Sequence, residues 1–367
     1  MSKTRQIESL FSVFRVVAAI LIAYAIALIT LTVISDDPLN VIKLFITGPF
    51  SSFRRFGDMV ALATPFMFAG LGMCFMYSVN KFNLVGNGAI VFAGCMSSLV
   101  ALSLQDAGLP SPVFIGILFI VGCLCGVIAA AVPALLDAKF QANVVVVSLM
   151  LNYIFQFFSQ YVLLFKMKDS SIAYSASHKL PEAARLANIV QGANIHWGFV
   201  IAIVCVILCS ILFYKTTLGY SMRTVGSNPA FARFAGLNVT GTVIVSQLLG
   251  GALAGLGGVV EVFARYDRFQ WDLSQAPQYG FDGLVVAVLA YKNPALIPVG
   301  AFILAYIRIG ADIVTRSADI PAEFISIIQG IIILLIAAEM FLSNFKQKVI
   351  FKNAKSDLAK KEKSLQA

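Results

Sequence analysis

Charge is scarce in this chain. Of its 367 residues only 12% are Asp, Glu, Lys or Arg, about half the share of an ordinary soluble domain. That excludes a soluble globule, which needs a charged surface. Histidine is rarer still. The two present, His178 and His196, stand without a cysteine or carboxylate cluster near them in sequence. They read as solvated loop residues, and nothing supports histidine-based catalysis. The six cysteines (Cys74, Cys95, Cys123, Cys125, Cys205, Cys209) all fall inside apolar runs, without the spacing of a metal site. They read as small packing residues, so no metal site is expected. A phosphate-binding G-x-x-x-x-G-K-S/T run is also missing. The glycine-rich stretch 250–258 lacks the lysine and is apolar throughout. Gly251/Gly255 and Ala254/Gly258 there are small-x-x-x-small pairs that suit close helix packing. No cofactor is expected on this chain, and any ATP hydrolysis belongs to another subunit. Alternating strand patterns are absent too, which argues against a β-barrel.

Apolar length is what the chain has instead. Hydrophobic residues make up 59% and the mean hydropathy is +0.87. Stretches 16–34, 59–79, 84–104, 113–136, 142–165, 197–214 and 243–260 carry no charge at all. Each is near the length of about 20 residues that crosses a bilayer as a helix. Residues 283–341 are apolar but interrupted by Lys292, Arg308, Asp312, Arg316, Asp319, Glu323 and Glu339, and read as three more helices. The expectation is an all-α integral membrane protein of about ten helices. Residues 1–15 form a cytoplasmic N-terminus, 16–343 the membrane domain and 344–367 a basic tail. The first span has basic flanks, a 19-residue apolar run and no clear cleavage site, so it reads as an uncleaved helix. The default address is a bacterial inner (cytoplasmic) membrane. The eighth span is the weakest, because only residues 283–291 separate Asp282 from Lys292. Whether it spans or re-enters stays open.

The tail, from Lys346 to Lys363, holds seven lysines and one aromatic, Phe351. It fits an anionic lipid surface on the cytoplasmic side, not nucleic acid. With both termini inside, sixteen basic residues fall in inside segments and ten in outside ones, a bias carried mainly by the tail. Residues 35–58, 105–112, 166–196, 261–282 and 315–323 are then outside. Residues 215–242 form the largest inside loop.

That loop contains the most informative pattern. Asn228 can cap a helix start, Pro229 fits the first helical position and Gly236 can end the helix. Between Leu218 and Val239 the only charges are Arg223 and Arg233; the rest is mostly small or aromatic. A compact, weakly charged helix of this kind suits a groove on a partner.

Charges inside the membrane each need a reason. Arg308 and Asp312 are four apart and read first as an ion pair on one helix, with a pathway role as the alternative. Glu261 and Asp282 fall near helix ends, where water or the helix dipole would satisfy them. No line of buried carboxylates is visible, which weakens an ion-coupled mechanism. Asn152, Gln156 and Gln160 fall four apart beside Tyr153 and Ser159, forming one polar stripe. It either bonds between helices or lines a pore. A faint symmetry relates Phe82-Asn83-Leu84-Val85-Gly86-Asn87-Gly88 to Pro277-Gln278-Tyr279-Gly280-Phe281-Asp282-Gly283. Both are aromatic, Gly-broken lead-ins to a helix, at corresponding places on opposite faces. Inverted repeats, in which broken helices line the substrate site, would give that pattern.

The loop around residues 228–236 resembles the coupling helix of ABC importer permeases, in the branch carrying nucleosides and simple sugars. Three further blocks resemble the nucleoside-type members. They are Thr64-Pro65 through Gly70-Leu71-Gly72 to Phe82-Asn83; Lys139-Phe140-Gln141-Ala142-Asn143 through Met150-Leu151-Asn152-Tyr153-Ile154; and Gly251 to Gly258 leading to Tyr279-Gly280-Phe281-Asp282-Gly283. Together they cover most of residues 64–341. After Phe82-Asn83 the family usually shows Gly-Ala-Glu-Gly-Gln, where this chain has Val85, Gly86, Asn87, Gly88 and Ala89. The missing acid and amide leave the exact substrate open.

The resemblance implies a type II ABC importer-like fold. It implies a second permease subunit, copy or paralogue, and a cytoplasmic ABC ATPase. It also implies an extracytoplasmic substrate-binding protein and a nucleoside or sugar substrate. Arg223, Gly226, Asn228, Pro229, Ala232, Arg233 and Gly236 become the expected ATPase-coupling residues. Phe82, Asn83, Asn87, Asn152, Tyr153, Gln156, Phe281 and Asp282 become expected pathway residues. The rivals are a simple-sugar permease and an ion-coupled secondary transporter.

Overall fold

The computed structural model describes residues 38–317, apart from 191 and 271–277. The first span, the last helix and the lysine tail lie outside the described residues. The chain divides into a main compact unit, Leu44–Ile313, and a second unit made of Met1–Lys43 with Val314–Ala367. Of the second unit, only residues 38–43 and 314–317 are described, and they belong to helices.

Eleven α-helices make up the described chain, with no strand among the described residues beyond isolated bridges. They are α1 Pro38–Thr47, α2 Phe53–Ser78, α3 Gly86–Ser103, α4 Ser111–Phe140, α5 Val144–Val162, α6 Trp197–Lys215, α7 Thr217–Ser227, α8 Pro229–Phe234, α9 Val239–Val260, α10 Tyr279–Leu289 and α11 Ile297–Ser317. Among the described residues seven helical segments are long and apolar enough to cross a membrane; 39–50 and 279–289 are shorter apolar helices. The protein is an all-α, multi-pass membrane protein.

The six uncharged runs that fall within the described residues are helices, with shifted ends. Helix α2 starts at Phe53, six residues before the uncharged run, because Ser52 caps it by accepting from the Arg55 N–H at 3.2 Å. Residues 38–58, expected as an outside loop, are thus largely helical. Asn143 caps α5 in the same way, and Gln141, at φ 51°, ends α4 in a left-handed cap.

Helix α2 is the axis of the main unit, buried along its whole apolar length. Helix α9 lies against it, Gly250 so near Gly72 that an added Cβ would meet the Gly72 carbonyl oxygen at 2.6 Å, and α9 is as close to α4. An added Cβ at Gly251 would meet the Gly126 carbonyl oxygen at 2.4 Å, and one at Gly255 would meet that of Gly122 at 2.1 Å. One face of α9 therefore touches the α4 backbone directly, as its small-x-x-x-small spacing leads one to expect. Ser246 and Gln247 of α9 donate to the carbonyls of Phe75 and Met76 near the end of α2. In lipid such carbonyls have no water to turn to, so side chains must supply the donors.

Helix α10 has eleven residues, about 16 Å at 1.5 Å per residue. That is about half of a 30 Å hydrocarbon core. It stops where Tyr291 and Lys292 take left-handed φ values of 52° and 56°. Non-glycine residues rarely do so. Lys292 is held there by the ring of Tyr77, 3.5 Å from its Nζ.

Candidate functional site

Two broken lead-ins meet inside the molecule. The lead-in to α3 leaves α2 through Asn80, at φ 59°, and runs back before α3 begins at Gly86. Its exposed backbone groups need partners. Asn152 of α5 supplies two: its amide donates to the Leu84 carbonyl at 2.6 Å, and its oxygen accepts from the Gly88 N–H at 2.8 Å. Ser148, one turn earlier, accepts from the Leu84 N–H at 3.0 Å. Asn83 closes the turn by accepting from the Val85 N–H, and Phe82 packs on Tyr77 with ring centroids 4.3 Å apart. Asn152 thus points into its own chain, and interhelical bonding is what it does here. Tyr153, next to it, faces out, and Gln156 is half-buried.

The start of α10 abuts this lead-in. A Cβ added at Gly280 would lie 2.2 Å from the Asn87 backbone nitrogen. The two helix starts are in backbone contact, part-way along α2, where Gly283 packs on Ala69 and Gly86 faces Met73. The sequence puts the two lead-ins on opposite faces; their helix starts nonetheless come into backbone contact at Gly280 and Asn87.

Around this junction sit two buried ion pairs. Asp282, in the first turn of α10 and 1% exposed, pairs with Arg308 of α11 at 2.7 Å. Glu261, fully buried, pairs with Arg265 at 2.6 Å and accepts from the Tyr279 hydroxyl at 2.5 Å. Phe66 of α2 links them: its ring meets the edge of Tyr279 at 5.7 Å, and the Arg308 guanidinium lies over it at 5.2 Å. Three expectations change here. Glu261 and Asp282 are buried rather than water-facing, although Asp282 does lie in the first turn of α10, where the helix dipole favours it. Arg308 makes its ion pair across helices with Asp282, rather than along α11 with Asp312. The sequence reading also missed Tyr279 and Arg265 as partners. The i, i+4 spacing of Glu261 and Arg265, across the π-helical turn Glu261–Arg265, was the available signal. Phe281 of the same lead-in is half-buried.

At the α7–α8 end, the loop of residues 215–242 folds into two helices. Asn228 caps α8 by accepting from the Phe231 N–H at 3.0 Å, Pro229 opens it, and Gly236 at φ 78° closes it. The Leu237 N–H bonds to the Ala232 carbonyl and that of Gly236 to the Arg233 carbonyl, a Schellman end. Gly226 of α7 crosses the end of α2 so closely that an added Cβ would sit 1.8 Å from the Ser78 carbonyl oxygen. Arg223 donates to the Phe213 carbonyl and stacks over the Phe213 and Tyr214 rings, so it anchors α7 to α6. Ala232 is fully buried against its own chain. The outward face of α8 is instead Phe231, Arg233 and Phe234, the last 93% exposed. Between α8 and the ends of α4 and α9 lies a cavity of about 360 Å³ lined by Lys81, Asp137, Gln141, Arg233, Thr240 and Val243.

The far end is a loop cap. Ser177 and Leu180 donate backbone N–H groups to Phe269 and Asp267, joining 168–196 to 266–270. Ser171 donates its hydroxyl to Asp169, and Arg268 also donates to it, at 2.6 Å each; together they hold that carboxyl well below the usual range. His178 is near Asp169 and largely exposed, as expected. His196 is not. It is fully buried at the start of α6, where desolvation, helped by the positive charge of Arg265, lowers its pKa to about 4.

The comparisons with known proteins agree with this architecture. Residues 56–337 match the family described as branched-chain amino acid transport system / permease component. A nucleoside ABC transporter permease protein of Lactococcus lactis is 30% identical over 334 residues, covering 88% of this chain and 89% of its own length. A glucose ABC transporter permease protein of Haloferax volcanii is 26% identical, covering 93% and 91%. A guanosine ABC transporter permease protein of Bacillus subtilis is 26% identical, covering 79% and 83%. Seven crossing-length helical segments among the described residues and a match over residues 56–337 place this chain in that permease family, as an ABC transporter permease whose relatives serve nucleosides and sugars.

Proposed function

We propose that this chain is the membrane-spanning permease subunit of an ATP-driven importer. It forms half of a translocation pathway beside a second permease, and it carries uncharged nucleosides delivered by an extracytoplasmic binding protein. The observation that carries the reading is α8. Its backbone is locked by a cap at each end, it is joined through α7 and Gly226 to the end of the central helix α2, and it turns Phe231, Arg233 and Phe234 outward. A push on α8 by a separate ATPase would reach α2 through backbone contact. The α7–α8 end and the lysine tail are then cytoplasmic.

The substrate reading rests on chemistry at the junction and on α5. Helix starts attract anions. Here Asp282 already occupies the start of α10 and is neutralised by Arg308. A permeant phosphate would find that place filled by a carboxylate. Helix α5 turns Tyr153, Phe157 and Tyr161 outward at four-residue spacing. Tyrosine hydroxyls in lipid would lack partners, whereas rings and hydroxyls suit a stacked base and a ribose. That face serves as a pathway wall. The nucleoside and guanosine relatives favour the same substrate.

A simple sugar is the second reading, favoured by the glucose permease of Haloferax volcanii. Uptake of labelled nucleoside and ribose in competition, by the reconstituted permease, ATPase and binding protein, decides between them. Ribose carried with nucleoside ignored moves the chain to the sugar branch. Uptake with no ATPase present would establish a secondary transporter instead. Among the described residues Glu261 and Asp282 both hold an arginine, which favours ATP as the driver.

A further inference from the structure

Arg233, like the exposed Lys139 and Lys215 at this end, makes no ion pair among the described residues, but of the three only Arg233 lines the cavity. Lys81 is paired with Asp137 at 2.8 Å, Arg223 is bonded to Phe213, and Lys292 lies on Tyr77. Arg233 stands exposed on the outward face of α8 and forms one wall of the 360 Å³ cavity. The Lys81–Asp137 pair is internally neutral, so one uncommitted positive charge remains there. Around it are further hydrogen-bonding groups, the Gln141 amide and the Thr240 hydroxyl. Phe231 and Phe234 flank it, 59% and 93% exposed. An arginine between two exposed aromatics has the composition of a protein–protein hot spot.

We infer that one acidic side chain of the ATPase subunit enters this cavity and pairs with Arg233, while Phe231 and Phe234 pack against the ATPase around it. The inference rests on the reading of α8 as the ATPase-docking element and adds the chemistry of the contact. One free charge calls for one carboxylate. A guanidinium can hold it with two parallel hydrogen bonds, which fixes orientation as well as affinity. The aromatic rim would exclude water from the pair and so strengthen it. Lys81 keeps its own partner and would shape the pocket without taking the incoming acid.

The test uses the assembled permease–ATPase complex in detergent and in nanodiscs. Retention of the ATPase is measured against rising salt for the native chain, Arg233→Lys, Arg233→Gln, Arg233→Glu and Phe234→Ala. Arg233 is exposed, so yield and monodispersity of the variants should match the native chain. Arg233→Gln should weaken ATPase binding at least about 30-fold and flatten its salt dependence. Arg233→Lys should fall between. Arg233→Glu should bind worst, and charge reversal of one surface acid of the ATPase should restore it. Equal retention of all variants at every salt concentration overturns the inference while leaving the coupling reading intact. If Arg233→Gln keeps the ATPase but loses bound anionic lipid, the cavity is a lipid-phosphate site and the inference fails. If the native chain itself retains no ATPase, the coupling reading fails, and the inference with it.

Discussion

The pair Asp282–Arg308 offers the sharpest test of the structure. It joins α10 to α11 at 2.7 Å, with the carboxylate side chain 2% and the guanidinium 22% exposed. Removing one partner of a pair so buried leaves a charge without compensation and costs about 3–5 kcal/mol. Removing both with near-isosteric groups costs much less. Asp282→Asn and Arg308→Met keep the shapes of the side chains. Each alone should lower the thermal midpoint of the purified permease markedly, measured by size-exclusion after a heating series. Together they should lower it by less than the larger single change. Exchanging the two, Asp282→Arg with Arg308→Asp, should not restore the native value. An arginine in the first turn of α10 opposes the helix dipole, by about 0.3–1 kcal/mol. It must also fit beside Gly283, whose missing Cβ already leaves only 2.6 Å to the Ala69 backbone. Additive losses in the double variant would refute the pairing. A full rescue by the exchange would refute the argument from helix direction.

Other outcomes follow from the same geometry. Gly226→Val should abolish ATP-dependent uptake, because its side chain must displace α7 from the Ser78 carbonyl; native uptake with native yield would show that α7 does not transmit the stroke. Asn152→Leu should strip two hydrogen bonds from the α3 lead-in, cost about 2–4 kcal/mol of stability, and slow transport. Unchanged thermal stability would mean the lead-in finds other partners. His196, with its pKa lowered to about 4 from an ordinary 6.5, contributes stability that is full above pH 6.5 and is lost as pH falls toward 4. His196→Phe should flatten that decline; an identical pH profile would place the acid sensitivity elsewhere.

Several features were legible in the sequence for local reasons. Asn228, Pro229 and Gly236 act through backbone geometry within a few residues, so the α8 caps follow from residue type and order. The long uncharged runs appear as helices because lipid leaves a backbone little alternative. The close approach of α9 to α4 follows from glycine spacing on one helix face. The weakness of the α10 segment was visible as well, in its few residues before Lys292.

Partners across the fold were not legible. Arg308 and Asp312 share a helix face, yet Arg308 reaches Asp282, 26 residues away in sequence. Spacing along a helix says which residues share a face, not what faces them. His196 reads as a loop residue, but tertiary packing buries it, and Ala232 of α8 is buried as well.

By itself the sequence determined an all-helical membrane chain, most of its long described helices though not α1, the capped α8 helix and the glycine seam that brings backbones together. These depend on neighbours within a few turns. Only the tertiary structure decided that the two lead-ins touch at Gly280 and Asn87, that the charges at Glu261 and Asp282 are buried and paired, and that Arg233 is left without a partner among the described residues. Those outcomes depend on which helix lies beside which, and in a low-dielectric interior an ion pair is settled by what stands across the gap.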